Sequence, residues 1–146
     1  MAIFSFKCRC LTSSKIIKFY TDHTIPAGIG ISHGSYTHVD GYRFINLFVQ
    51  FQQEAANEKP VDLGVIFAFD SKGEMRSRRY VNLCENLPAQ QAVNFIDVSG
   101  AGSWHGDPKI SSYTVRLPIM GPYVNVYPFN KEPKERMLNI WAYLTS

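Results

Sequence analysis

The sequence predicts an all-β protein: an antiparallel two-sheet β-sandwich, jelly-roll-like, with about nine strands. Three observations predict it. Apolar residues alternate with period 2 over most of the chain, and no long stretch follows the helical period. The alternating runs are short, and ten Gly and eight Pro supply turn signals between them. Aromatics are abundant, with ten Phe, eight Tyr and two Trp, while strong helix formers cluster nowhere. At 146 residues the chain is expected to form a single β-sandwich domain, 1–146, large enough for a real core.

The run Ile3-Phe4-Ser5-Phe6-Lys7-Cys8-Arg9-Cys10-Leu11 reads as a first strand, and Thr12-Ser13-Ser14 as a turn. Lys15 to Tyr20 is a second strand, and Thr21 to Thr24 a loop. Ile25 to Ile31 is an extended piece that Pro26 confines to an edge or a strand end. The turn pair Asp40-Gly41 then opens the longest alternating run, Tyr42 to Gln52. Ile45, Leu47, Val49 and Phe51 point to one side of it, and Phe44, Asn46, Phe48, Gln50 and Gln52 to the other. Gln53 to Pro60 is a polar loop with room for a helical turn at Glu54-Ala55-Ala56. Val61 to Asp70 is apolar or small on both faces, which predicts a central strand covered on both sides.

Asp70-Ser71-Lys72-Gly73 is a turn, and a further strand or irregular piece begins near Arg79. Pro88 can open a short helix at Ala89-Gln90-Gln91-Ala92. Val93 to Val98 is a strand, Ser99 to Ser103 a turn, and Ser112 to Leu117 a strand ended by Pro118. Tyr123 to Phe129 and Arg136 to Thr145 are the last two strands, expected to form a hairpin around the polar loop Asn130 to Glu135.

Composition excludes several function classes. A formal charge of +3 is too small to argue for nucleic acid. The cluster Arg76, Arg78 and Arg79 reads as charge guarding an edge strand. Cys8, Cys10 and Cys84 are odd in number and match no disulfide framework or zinc spacing, so free thiols are expected. His33, His38 and Asp40 match no ligand motif, so no metal is expected. Gly28, Gly30 and Gly34 are turn glycines and not a phosphate loop; no cofactor is expected. The N-terminus is too short in apolar residues and too charged for a secretory signal, and no run approaches a membrane span. Cytoplasmic synthesis without a signal peptide, and no membrane insertion, are the expectation.

Function is sought on the surface left once the core is assigned. On the last strand Leu138, Ile140, Ala142 and Leu144 are core, and Met137, Asn139, Trp141 and Tyr143 face away. On the strand before it Val124 and Val126 are core, and Tyr123, Asn125 and Tyr127 face away. Three strands thus follow one rule, aliphatic inside and aromatic interleaved with Asn or Gln outside. A solvated sheet face ordinarily carries Thr, Lys, Glu and Ser. Aromatic faces beside amides suit sugars, which need stacking surfaces and hydroxyl partners. They suit protein interfaces equally well. A third reading buries the same face under loops, with the amides satisfying loop backbone.

One loop string is distinctive: Ser103-Trp104-His105-Gly106-Asp107-Pro108. In a sugar-binding loop Trp104 would stack while His105 and Asp107 pair with hydroxyls. In a hydrolase His105 would be the base and Asp107 its orienter, but no nucleophile elbow accompanies them. The bland reading has Trp104 plugging the end of the sandwich and Asp107-Pro108 making a turn.

Two phrases carry a resemblance: Val39-Asp40-Gly41-Tyr42-Arg43-Phe44-Ile45-Asn46-Leu47, and Met120-Gly121-Pro122-Tyr123-Val124-Asn125-Val126 followed by Asn130. They resemble jelly-roll modules of the carbohydrate-binding and galactose-binding-like kind, and similar phrases occur in phage and other surface-appendage proteins. The resemblance implies a non-catalytic β-sandwich, often oligomeric, and transfers no binding residue. The resulting first reading is a binding module for a glycan or similar polar ligand. Its candidates are Trp104, His105 and Asp107 in the loop, with Asn46, Gln50, Tyr123, Asn125, Tyr127, Asn139, Trp141 and Tyr143 on the sheet. The second reading is a structural or assembly protein whose aromatic-amide face packs against another copy. Self-association is expected on either.

Overall fold

A computed structural model of the protein describes residues 14–32, 34–55, 57–85, 94–97 and 109–146, with only the backbone at 94–97 and 109. The expected first strand, the helix after Pro88 and the loop holding Trp104, His105 and Asp107 lie outside the described residues. Nine strands are described: β1 (Ser14–Ile25), β2 (Thr37–His38), β3 (Phe44–Gln52), β4 (Asp62–Ala68), β5 (Arg76–Tyr80), β6 (Asn94–Asp97), β7 (Lys109–Pro118), β8 (Tyr123–Phe129) and β9 (Arg136–Thr145). No helix occurs among the described residues. The turn expected near Glu54 is a single bend closed by the Glu58 N–H donating to the Ala55 carbonyl at 3.1 Å.

The strands form two antiparallel sheets, β1-β9-β3-β7-β6 and β2-β8-β4-β5. Successive strands cross from one sheet to the other except at the β4–β5 and β6–β7 pairs. Without the edge strand β6, each sheet has four strands in jelly-roll order. The fold is a jelly-roll β-sandwich.

Alternation builds the core. Ile45, Leu47, Val49 and Phe51 of β3 and Leu138, Ile140, Ala142 and Leu144 of β9 are all fully buried. They face Leu63, Val65 and Phe67 of β4 and Val124 and Val126 of β8 in one cluster. Every residue of β4 is buried, as a central strand covered on both faces requires. Its outward Gly64 leaves room for the Tyr127 ring, which a Cβ would overlap. β5 is an edge strand, consistent with the guarding role read for its three arginines.

Two expectations are corrected. Thr21 to Thr24 is not a loop; β1 continues through it to Ile25. Register shifts against β9 fall between Lys18 and Tyr20 and between Tyr20 and His23. Each inserts unpaired residues, which turns Phe19 and Tyr20 both into the core and lets Asp22 adopt a φ of 48°. Bulges of this kind break the alternation that a sequence reading follows.

The second correction is larger. β8 and β9 are not a hairpin. β8 pairs with β4 and β2, whereas β9 pairs with β1 and β3. The segment Asn130 to Glu135 arches between the sheets. Its ends are held by buried polar side chains in addition to backbone bonds. Asn130 Nδ2 donates to the Lys134 and Pro26 carbonyls at 2.7 and 3.0 Å, and the Arg136 guanidinium donates to the carbonyls of Lys59 and Gln52 at 2.6 and 3.0 Å.

Candidate functional site

The second correction divides the candidate residues into two groups on opposite surfaces. Tyr123, Asn125 and Tyr127 lie on the four-stranded sheet, so they do not join the face that carries Asn46 and Asn139. Asn125 is buried. Tyr127 is occupied structurally: it covers Gly64, accepts a hydrogen bond from Arg79 Nε at 2.9 Å and packs edge-on against Phe129. Tyr123 packs against His38, with ring centroids 5.2 Å apart.

Asn46, Gln50, Asn139, Trp141 and Tyr143 do come together, on the outer face of the five-stranded sheet. Pairing sets them in rows across four strands. Ile16, Tyr143, Asn46 and Arg116 form one row, and Lys18, Trp141, Phe48 and Thr114 the next. Asn139, Gln50 and Ser112 follow, with Asp22 at their edge. The sequence reading missed Ile16 and Lys18 of β1 and Thr114 and Arg116 of β7. Their own alternation was visible, but which strands flank β3 and β9 was not.

The polar groups of this face are largely spent within it. Asn139 Nδ2 donates to Gln50 Oε1 at 3.2 Å, and Asn139 Oδ1 accepts from the Asp22 N–H at 2.7 Å. Asn46 Nδ2 donates to the Tyr143 carbonyl at 3.0 Å, and Trp141 Nε1 donates to Thr21 Oγ1 at 3.1 Å. The Met137 N–H donates to Gln52 Oε1 at 3.3 Å. These amides act as rivets between neighbouring strands.

Large apolar side chains stand toward solvent here, beside the exposed Lys18, Thr114 and Arg116. Ile16 is 65% exposed, Phe48 50%, Tyr143 41% and Trp141 39%. Three shallow depressions crease the surface, and Phe48 lines all of them. The patch is therefore one continuous surface centred on Phe48, not an enclosed pocket. Cations lie over its rings: Lys18 Nζ is 4.3 Å from the Trp141 ring centroid, and Arg116 Cζ is 4.1 Å from that of Phe44. Among the described residues no group of three or more His, Cys, Asp or Glu is placed to hold a metal ion.

No family model matches the chain, and no curated protein is similar to it in sequence. Its fold is similar to solved structures of infectious bursal disease virus. The VP2 subviral particle matches with a TM-score of 0.51 at 12% identity, over 92% of this chain and 32% of that one. The Gx strain of the virus matches with a TM-score of 0.50 at 10% identity, over 92% and 32%. The T=1 particles derived from the virus match with a TM-score of 0.51 at 12% identity, over 92% and 31%. The chain thus spans about a third of the length of these chains. At such identities the likeness establishes the jelly-roll sandwich. These neighbours are viral particle proteins, not carbohydrate-binding modules.

Proposed function

We propose that this chain is a structural protein, a jelly-roll subunit that assembles with other copies through the outer face of its five-stranded sheet. The observation that carries the proposal is the state of that face. Asn46 and Asn139 are bonded to neighbouring strands, and its large exposed apolar side chains cluster around Phe48. A glycan site needs polar atoms free to pair with hydroxyls. A subunit contact needs the reverse, apolar area whose polar neighbours are already satisfied. The likeness to particle-forming viral proteins supports the same reading.

The glycan reading draws on the same face, where the exposed Trp141 indole stands beside Gln50 and Asn139. It has fewer partners to offer a sugar, because Asn139 uses both ends of its amide and Trp141 its N–H.

Light scattering after gel filtration tests the assignment. The wild type elutes as an oligomer, and Phe48→Glu elutes as a folded monomer, because a charge at the centre of a dry contact is left unpaired. A wild type that stays monomeric at high micromolar concentration while binding glycans on an array would refute it.

A further inference from the structure

Exposed apolar side chains and a surplus of cations share one end of the four-stranded sheet. At the tip of the β4–β5 turn Phe69 is 59% exposed and Met75 62%, and they are adjacent because the Phe69 N–H donates to the Met75 carbonyl at 2.8 Å. Met120 is exposed on the neighbouring turn, where Gly121 lies directly against Ala68 and Ser77.

The same hairpin carries Lys72, Arg76, Arg78 and Arg79, all exposed, against the acids Asp70 and Glu74. That leaves two positive charges in excess, of three for the whole chain. Asp40 and Arg43, on the loop beside it, add one charge of each sign. The Asp70 carboxylate is turned inward, accepting from the N–H groups of Lys72, Glu74 and Met75 at 3.0, 3.0 and 2.8 Å. The ion pairs between described residues all belong to Lys131 and Lys134, so none of these arginines has an acid partner there. Two of them are nonetheless held in place. Arg79 Nε donates to the Tyr127 hydroxyl at 2.9 Å, and Arg78 Cζ lies 5.3 Å from the Tyr80 ring centroid. Their terminal nitrogens are left to bind oxyanions.

We infer that this end of the sandwich docks on an anionic lipid surface, with Phe69 and Met75 entering the apolar layer and the arginines meeting phosphates. Neither feature alone selects that partner; their arrangement does. Arg78 follows Met75 by three residues, about 10 Å along an extended strand. Interfacial apolar side chains sink about 5–10 Å into the headgroup and acyl boundary, which sets the cations behind them at headgroup level. The contact is peripheral, and the bonds to Asp70 fix the turn beforehand, so little freedom is lost on docking. It is separate from the assembly reading, because Phe48 lies on the other sheet.

Co-flotation of the full chain with vesicles tests this. Binding is expected to phosphatidylcholine vesicles that contain phosphatidylserine, and not to phosphatidylcholine alone. Phe69→Ser/Met75→Ser is expected to weaken it at least about tenfold. Lys72→Gln/Arg78→Gln is expected to weaken it about thirtyfold at low salt, a factor of about five for each cation near an anionic leaflet. All four side chains are exposed, so both variants fold, as circular dichroism verifies. Both are expected to keep the wild-type oligomeric state in light scattering. The docking is refuted if the wild type binds neither vesicle or both alike, or if either variant binds as the wild type does. A tip variant that loses assembly but not vesicle binding would make the tip a subunit contact instead. Binding of a single-stranded oligonucleotide without binding of vesicles would make it a nucleic-acid site, and either result overturns the proposal.

Discussion

Asn130 offers the sharpest test of how the sandwich is closed, because its substitution by Asp changes one atom. The side chain is 2% exposed at the start of the arch between the sheets. Its Nδ2 carries two hydrogens, yet three carbonyl oxygens surround it, those of Lys134, Pro26 and Ile25 at 2.7, 3.0 and 3.3 Å. Its Oδ1 accepts from the Glu132 N–H at 3.1 Å. Asn130→Ala removes about three hydrogen bonds worth about 1 kcal/mol each, so a loss of about 3 kcal/mol is expected. Asn130→Asp points an oxygen at three carbonyl oxygens, which disfavours the carboxylate. Its folded pKa therefore rises above the unfolded value of about 3.9. The folded state then binds the proton more tightly than the unfolded chain. Relative to wild type, the variant is least destabilised below about pH 4 and loses about 1.4 kcal/mol per pH unit as pH rises to the raised folded pKa. Urea unfolding of both proteins across this range measures the difference. If Asn130→Asp matches wild type at neutral pH, or the difference does not change with pH, the side chain does not donate to those carbonyls.

Three further outcomes are expected. Gly64→Ala drives the Tyr127 ring away and breaks its bond from Arg79, lowering stability by about 1–3 kcal/mol in thermal unfolding. It leaves assembly intact, because Tyr127 lies on the opposite sheet; loss of assembly would place the contact wrongly. Burial pushes the Cys84 thiol up to about 12, and the charges of Asp62 and Glu85 add to the shift. Iodoacetamide at neutral pH is then expected to label Cys84 in peptide maps only as the chain unfolds, and labelling at the rate of a free thiol would contradict this. Burial raises the Glu58 carboxyl, but bonds from Lys134 and from the Ala55 and Glu54 amides outweigh it, and the net shift is downward. Its stabilisation is present above the ordinary value of 4.5 and lost as pH falls through the lowered one. Glu58→Gln is expected to weaken the protein at neutral pH and to converge with wild type in acid, as urea unfolding at both pH values would register.

Strand alternation was legible in the sequence, and strand partnership was not. The β3 and β9 alternations and the double-sided β4 emerge as read, because burial imposes period 2 on any strand that faces a core. The hairpin expected of β8 and β9 failed because loop length alone does not distinguish a turn within a sheet from an arch between sheets. A signal was present. Arg136 shares parity with Leu138, Ile140, Ala142 and Leu144, so a cation sits on the core side of β9, where its guanidinium binds loop carbonyls. Such a residue is expected where a strand enters a sheet beside loop carbonyls that need a donor.

The same distinction separates two meanings of the aromatic-amide pattern. In a jelly roll, outward parity leads to either of two surfaces. On β8 the outward residues sit over the small and apolar residues of β4, and Asn125 and Tyr127 are part of that covering. On β3 and β9 the outward amides bond to neighbouring strands and leave the rings projecting. Among the described residues, aromatics therefore project from a sheet only where their amide neighbours bond to adjacent strands and no other side chain is packed across them. Phe48, Trp141 and Tyr143 meet that condition, and Tyr127 does not.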